Sequence, residues 1–350
     1  MPAPEEPPFH VSLLAAPETS PSVLYGLVDV LSTVGTIYPE ITTGKPGQPV
    51  FDVKVVAASA EPFRCDLGMI IEPHHALEEV ASTDCVVVCD MYQPVHEPPH
   101  GRYGREIAWL KRIHADGALI TSVCSGSLIL AEAGLLDGRE AAGHWCYRDL
   151  IRKHYPRVRL RDDLVLCLAE EQQRIVTAGA VSSWQELAVY MIARFAGREH
   201  ALQTAKVFLF TEHAEGQLPY AVTVPQLQTR DAVIADCQAW IAENLACANP
   251  VTRMGERAGL KPRTFARRFR AATGYQPMEY VHTLRIEEAK RQLETGNLPV
   301  DDVGHAVGYE DPTSFRRLFR RRTGMTPSAY RRKFLRIAAP GGVGASCHGR

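Results

Sequence analysis

The chain has 350 residues, enough for two domains, and a net charge of −1 that conceals an uneven distribution. Residues 228–350 carry 21 Lys and Arg against 12 Asp and Glu, a net +9, whereas the first 227 carry 18 against 28, a net −10. A basic half beside an acidic one suits a polyanionic partner for the former alone, and no apolar run is long enough to cross a bilayer as a helix. The start, MPAPEEPPFH, is acidic and Pro-rich and is not read as a signal peptide, so a cytoplasmic protein is expected. Nine cysteines make no CxxC pair and no ligand spacing suits zinc, so buried reduced thiols are expected, with neither metal nor cofactor.

From the N-terminus, short apolar runs predict strands at His10–Ala15, Phe51–Ala57, Asp84–Cys89, Gly117–Val123 and Arg174–Ala178. Helices are predicted at Ser22–Val34, His75–Ala81, Tyr103–Ala115, Ser125–Ala133, Cys146–Tyr155 and Trp184–Ala196. Such alternation implies a mostly parallel sheet covered on both faces, with ligands gathered at the carboxyl ends of the strands. The most informative stretch is GALITSVCSGSLILAEAGLLDG. Its strand runs straight into Cys124 and a helix begins at Ser125, the arrangement of a nucleophile elbow. A thiol at a helix N-terminus would have its thiolate favoured by the helix dipole. His144, after a further strand-like run REAAGH, could stand beside it.

Polar residues and two prolines near 214–230 mark a linker. Beyond it the chain says the same thing twice. At an offset of fifty, Phe265, Phe269, Thr273, Gly274, Pro277 and Tyr280 match Phe315, Phe319, Thr323, Gly324, Pro327 and Tyr330. Gly259 and Gly308 match at forty-nine, so one residue has been gained or lost in a turn. In each copy a short helix meets a glycine, and a second helix begins at Pro262 or Pro312. The Phe pairs four apart form its core side. Arg263 and Arg267 in one copy, and Thr313 and Arg317 in the other, lie about 200° from the phenylalanines, free to enter a major groove. Arg268, Arg270, Arg316, Arg320, Arg321 and Arg322 read as phosphate contacts or solvated surface.

On these motifs, residues 228–337 resemble the DNA-binding domain of AraC/XylS-type regulators. That domain has two helix–turn–helix subdomains joined by a long helix, here expected at Met278–Thr295. Gly308-Tyr309, Asp311-Pro312, Ser314-Phe315, Phe319, Gly324, Pro327 and Tyr330 carry the resemblance. It implies base reading by Arg263, Arg267, Thr313 and Arg317, with Ser314, Arg316 and Arg320 completing the DNA-contacting set. Ala266 stands where relatives often place a polar reader.

Residues 9–200, with VCSGSLILAEAGLLDG and the following His-Trp, resemble the PfpI-like branch of the class I glutamine-amidotransferase-like superfamily. The resemblance implies a flavodoxin-like α/β fold used as a sensor, with Cys124 and His144 at the positions of the elbow cysteine and its histidine. The acid of catalytic members would fall at Val23, between Ser22 and Leu24, where there is no carboxylate, and Ser125 replaces the histidine of proteolytic members. Catalysis is therefore not expected, and Cys124 and His144 are vestigial. The expected pocket comprises Cys124, Ser125, His144, Trp145, Tyr92 and Trp184, and the two tryptophans could cage a cation. The expected layout is a sensor domain at 9–212, a linker at 213–229, an all-α double helix–turn–helix domain at 230–337 and a disordered tail at 338–350. The expected function is a homodimeric, ligand-responsive activator on double-stranded promoter DNA. It would recruit RNA polymerase in response to a small nitrogenous effector. The alternative is a Cys-dependent amidase or deglycase tethered to DNA.

Overall fold

In the computed structural model, residues 8–169, 173–222 and 229–338 are described. Residues 1–7, 223–228 and 339–350, which hold most of the expected tails and the middle of the expected linker, lie outside the described residues. The chain divides into two compact units between Gln217 and Leu218.

The first unit is built on a seven-stranded sheet. Its strands in chain order are β1 (Phe9–Leu14), β2 (Phe51–Ala57), β3 (His75–Ala76), β4 (Cys85–Val88), β5 (Leu119–Val123), β6 (Leu166–Leu168) and β7 (Ile175–Ala178). Their spatial order is β6-β7-β5-β4-β1-β2-β3, all parallel except the edge strand β6. The period-two alternation of strand side chains sorts them onto two faces. Leu14, Val86, Val88 and Ile120 pack with helices α3 (Gly104–Ala115), α4 (Gly126–Glu132) and α5 (Arg148–His154). Leu13, Cys85, Val87 and Leu119 pack with α1 (Pro21–Ser32) and α6 (Trp184–Phe195). Helices α2 (Ile37–Thr43) and α7 (Gly197–Phe208) complete the unit.

Two expectations are corrected and one strand is added. His75–Ala81 is no helix, because His75 and Ala76 extend the sheet beside Val56 and Ala57 and the Leu77 amide donates to the Ala57 carbonyl. Arg139–His144 gives only the two-residue strand Glu140–Ala141, paired outside the main sheet with Arg159–Leu160. The antiparallel strand β6 was not foreseen.

The second unit is helical: α8 (Ala232–Glu243), α9 (Pro250–Arg257), α10 (Pro262–Thr273), α11 (Pro277–Thr295), α12 (Val300–Ala306), α13 (Pro312–Thr323) and α14 (Pro327–Ala338). Phe265, Phe269 and Tyr280 centre one core with Ile234, Ile241 and Met254, and Phe315, Phe319 and Tyr330 centre the other with Val303 and Leu293. The long helix α11 serves both. Its Arg285, only 4% exposed, donates to the carbonyls of Leu245 (2.8 Å) and Cys247 (3.1 Å) from the first subdomain and of Gly308 (2.8 Å) from the second. A Cβ on Gly308 would meet this guanidinium at 2.7 Å, and Gly308 also has φ +91°, so only glycine suits that turn.

Candidate ligand pocket and nucleic-acid interface

Strand β5 ends at Val123 and the chain reverses at Cys124, a non-glycine residue held at φ +53°. The elbow leaves no room. The Cys124 amide donates to the Ala178 carbonyl (2.8 Å), and a Cβ on Gly126 would meet the Val88 carbonyl oxygen at 2.4 Å. Ser125 is fully buried and staples the next strand end. Its Oγ donates to Asp90 Oδ1 (2.8 Å) and accepts from the Met91 amide (2.8 Å). Burial, and then the neighbouring Asp90, push the Cys124 thiol well above its ordinary range, outweighing the lowering effect of the Ser125 backbone. The thiolate expected at a helix N-terminus is thus not the resting form.

Beside the elbow lies an open cavity of about 570 Å³ at the carboxyl ends of the central strands. Cys124, His144 and Tyr92 line it together with Cys146, Gln93 and Tyr147. Its lining also holds three carboxylates, Glu18, Asp66 and Asp90, and, among the described residues, no lysine or arginine. Glu18 Oε2 is buried and has no hydrogen-bond partner among the described residues. His144 caps a short 3-10 turn, its Nδ1 accepting from the Cys146 amide (3.2 Å) with Cys146 Sγ at 2.9 Å. Burial lowers the His144 pKa while Asp90 opposes the shift, so a neutral ring with its proton on Nε2 fits the site. Cys146 is pushed up to about 11 by burial.

Three expected pocket residues do not line the cavity. Ser125 is turned inward by its bonds to Asp90 and Met91. Trp145 packs beside the His144 ring at 5.0 Å outside the lining, and Trp184 lies against Gly26 and edge-on to Phe210 as part of the core. Neither tryptophan of the expected cage therefore lines the cavity. Position 23 is a buried valine, as read, but Glu18 and Asp90 bring carboxylates to the site from other loops. Asp90 directly follows the DCVVVC run, so its place at a strand's carboxyl end was the available signal. Glu18 gave none.

In the second unit the arginines fall into two groups. Several off the outward stripe are neutralised. Arg268 pairs with Asp231 through both guanidinium edges (2.7 and 2.9 Å), Arg257 with Asp236, Arg316 with Asp301 (2.5 Å) and Arg322 with Glu279 (3.6 Å). Along the stripe opposite the phenylalanines, Arg263, Arg267 and Arg270 of α10 are exposed, as are Thr313, Arg317 and Arg320 of α13. Among the described residues no carboxylate lies within 4 Å of these five arginines or of Arg321. Arg316, expected in the contacting set, is thus already engaged by Asp301. Ser314 is half-buried, and its amide is taken by the Asp311 cap.

A helix-turn-helix domain family matches residues 254–333, and the DJ-1/PfpI family matches residues 47–194. The HTH-type transcriptional regulator CdhR of Pseudomonas aeruginosa is 26% identical over 319 residues, covering 89% of this chain and 90% of that protein. The HTH-type transcriptional regulator GlxA of Rhizobium meliloti is 24% identical over 291 residues, covering 82% and 87%. A crystal structure of an AraC family transcriptional regulator from Pseudomonas putida aligns with a TM-score of 0.47 and 18% identity, covering 57% of this chain and 100% of that one. The chain joins a DJ-1/PfpI-family domain to an AraC-type helix-turn-helix domain. It belongs with the DNA-binding transcriptional regulators.

Proposed function

We propose that this chain is a ligand-responsive regulator that reads promoter DNA with two recognition helices, α10 and α13, and senses a small nitrogenous cation in the acidic cavity. The observation that carries the first part is the duplicated stripe of exposed, unneutralised arginines. Leaving five like charges unpaired while neighbouring arginines are matched with acids favours a polyanionic partner on that face. Arg263, Arg267 and Arg317 sit where bidentate bonds to guanine are possible, with Thr313 beside them at the start of α13. Glu18, Asp66 and Asp90, with no lysine or arginine among the described lining residues, support a cationic ligand.

Cys124 is a wall of this cavity rather than a nucleophile. Its thiol is held protonated, and no hydrogen bond joins it to His144 among the described residues. Cys124→Ser should therefore keep operator binding and change only the ligand response. The chain between the two units supplies a route for that response. Gln217, 2% exposed, donates to the carbonyls of Gly143, next to His144, and Leu164 (3.1 and 2.7 Å). Four residues on, the Ala221 carbonyl accepts from the buried Lys290 of α11. Ligand at His144 would act through this segment on a homodimer that recruits RNA polymerase.

The test is selection of bound fragments from the source genome with purified full-length protein at two salt concentrations. Enrichment of upstream sites with paired half-sites about one helical turn apart supports the reading. Binding that is salt-sensitive and blind to sequence rejects it.

A further inference from the structure

The two recognition helices present different chemistry to a groove. On α10 a shallow depression of about 500 Å³ is lined by Ala266 and Ala271, with Arg267, Arg270 and Gln276 around it. Ala266 is half-buried and Ala271 exposed. At the corresponding places on α13 stand Arg316, which reaches over to Asp301, and Arg321. The pair of alanines is therefore a property of the first copy.

Two alanine methyls can neither donate nor accept a hydrogen bond. They are of no use to a phosphate, and they would leave a base amino or carbonyl group without a partner. The rim is different, for Arg267 and Arg270 are exposed and have no carboxylate within 4 Å among the described residues. Alanine methyls beside free guanidiniums suit a polyanion that carries an apolar group at its recognised edge. On the major-groove edges of unmodified DNA that group is the 5-methyl of thymine, while the neighbouring guanine offers O6 and N7 to an arginine.

We propose that Ala266, with Ala271, is a specificity-determining contact for one thymine methyl, next to a guanine bonded by Arg267. The proposal rests on α10 entering the major groove. It makes the half-sites unequal at this place, because Ala266 meets a methyl group under α10 where α13 carries Arg316.

The experiment uses the full chain and the operator obtained by selection, in which each thymine is replaced in turn by deoxyuridine. This removes the methyl and keeps the base pairing. One replacement in the half-site under α10 should weaken binding about four-fold, the value of one buried methyl group. The replacement at the matching place under α13, where Arg316 stands, should leave the affinity unchanged. Ala266→Gly should bind the thymine and deoxyuridine operators alike, removing the difference without any change in the DNA. An operator that binds specifically yet tolerates every replacement under α10 overturns the proposal and leaves the regulator reading standing. So does an Ala266→Gly protein that keeps the four-fold difference. Failure to select any operator overturns the regulator reading itself.

Discussion

The two helix–turn–helix copies share their aromatic cores and the Thr273 and Thr323 bonds that close their second helices, and differ in the polar groups at the helix starts and on the outer surface. Phe265–Phe269–Tyr280 and Phe315–Phe319–Tyr330 keep the same ring contacts, with neighbouring centroids 5.3–5.7 Å apart. Yet α13 is capped by Asp311, whose carboxylate takes the Thr313 and Ser314 amides, whereas Lys261 at the start of α10 caps nothing. Arg268, bound to Asp231, is answered by the buried Leu318. The lesson is that close packing holds the core of each copy fixed. The surface is free to diverge, so each helix can present its own chemistry to DNA.

That comparison is broken most severely at Arg285, which ties the copies together. Arg285→Met leaves the Leu245, Cys247 and Gly308 carbonyls without their donor. A loss of roughly 3 kcal/mol is expected in urea unfolding of the full chain. Surviving folded protein should accept half-site spacings that the parent rejects in a binding-site selection. The next contrast lies in two matched glycines. A Cβ on Gly304 would meet the Phe315 ring at 2.9 Å, whereas one on Gly255 would lie 3.8 Å from Phe265. Gly304→Ala should cost about 1–3 kcal/mol. Gly255→Ala should be neutral or stabilising, since alanine is the better helix former.

The caps predict a smaller difference. Asp311→Ala should lower Tm by a few degrees at neutral pH. The Ser314 and Thr313 groups hold the Asp311 carboxyl below its ordinary range. Its contribution is therefore complete above ~pH 4, the range of an unfolded aspartate, and fades as pH falls through the depressed native value. The gap between parent and variant should close under acid, and a constant gap would show that the cap acts otherwise. Smallest of all is Arg268→Ala. An exposed ion pair contributes little, so Tm should barely move, and binding to random duplex should not weaken as it does for an unpaired arginine on a phosphate, such as Arg320.

Much of this architecture was legible in the sequence, because repeats and buried strands leave strong patterns. The five central strands read directly from their apolar runs, and the Cys124 elbow from a strand that meets a helix with no loop. The edge strand β6 did not, since three residues, Leu166–Leu168, are too few for a period to emerge. His75–Ala81 was misread because its pairing partner, Val56–Ala57, lies some twenty residues away. The pocket was half legible for a similar reason. Cys124 and His144 carry local motifs, but Glu18 and Asp90 join them only through sheet topology. Trp184 follows a strand end like a pocket residue, yet the space beside it is the gap left by Gly26.

The most direct test of the account compares Arg267→Ala and Arg317→Ala with the parent on the selected operator and on a random duplex of equal length. Each substitution should weaken operator binding about 10- to 100-fold, the value of a lost bidentate guanine contact, and change random-duplex binding far less. An equal loss on both duplexes would reduce these arginines to phosphate contacts and contradict the assignment of α10 and α13 as the reading helices.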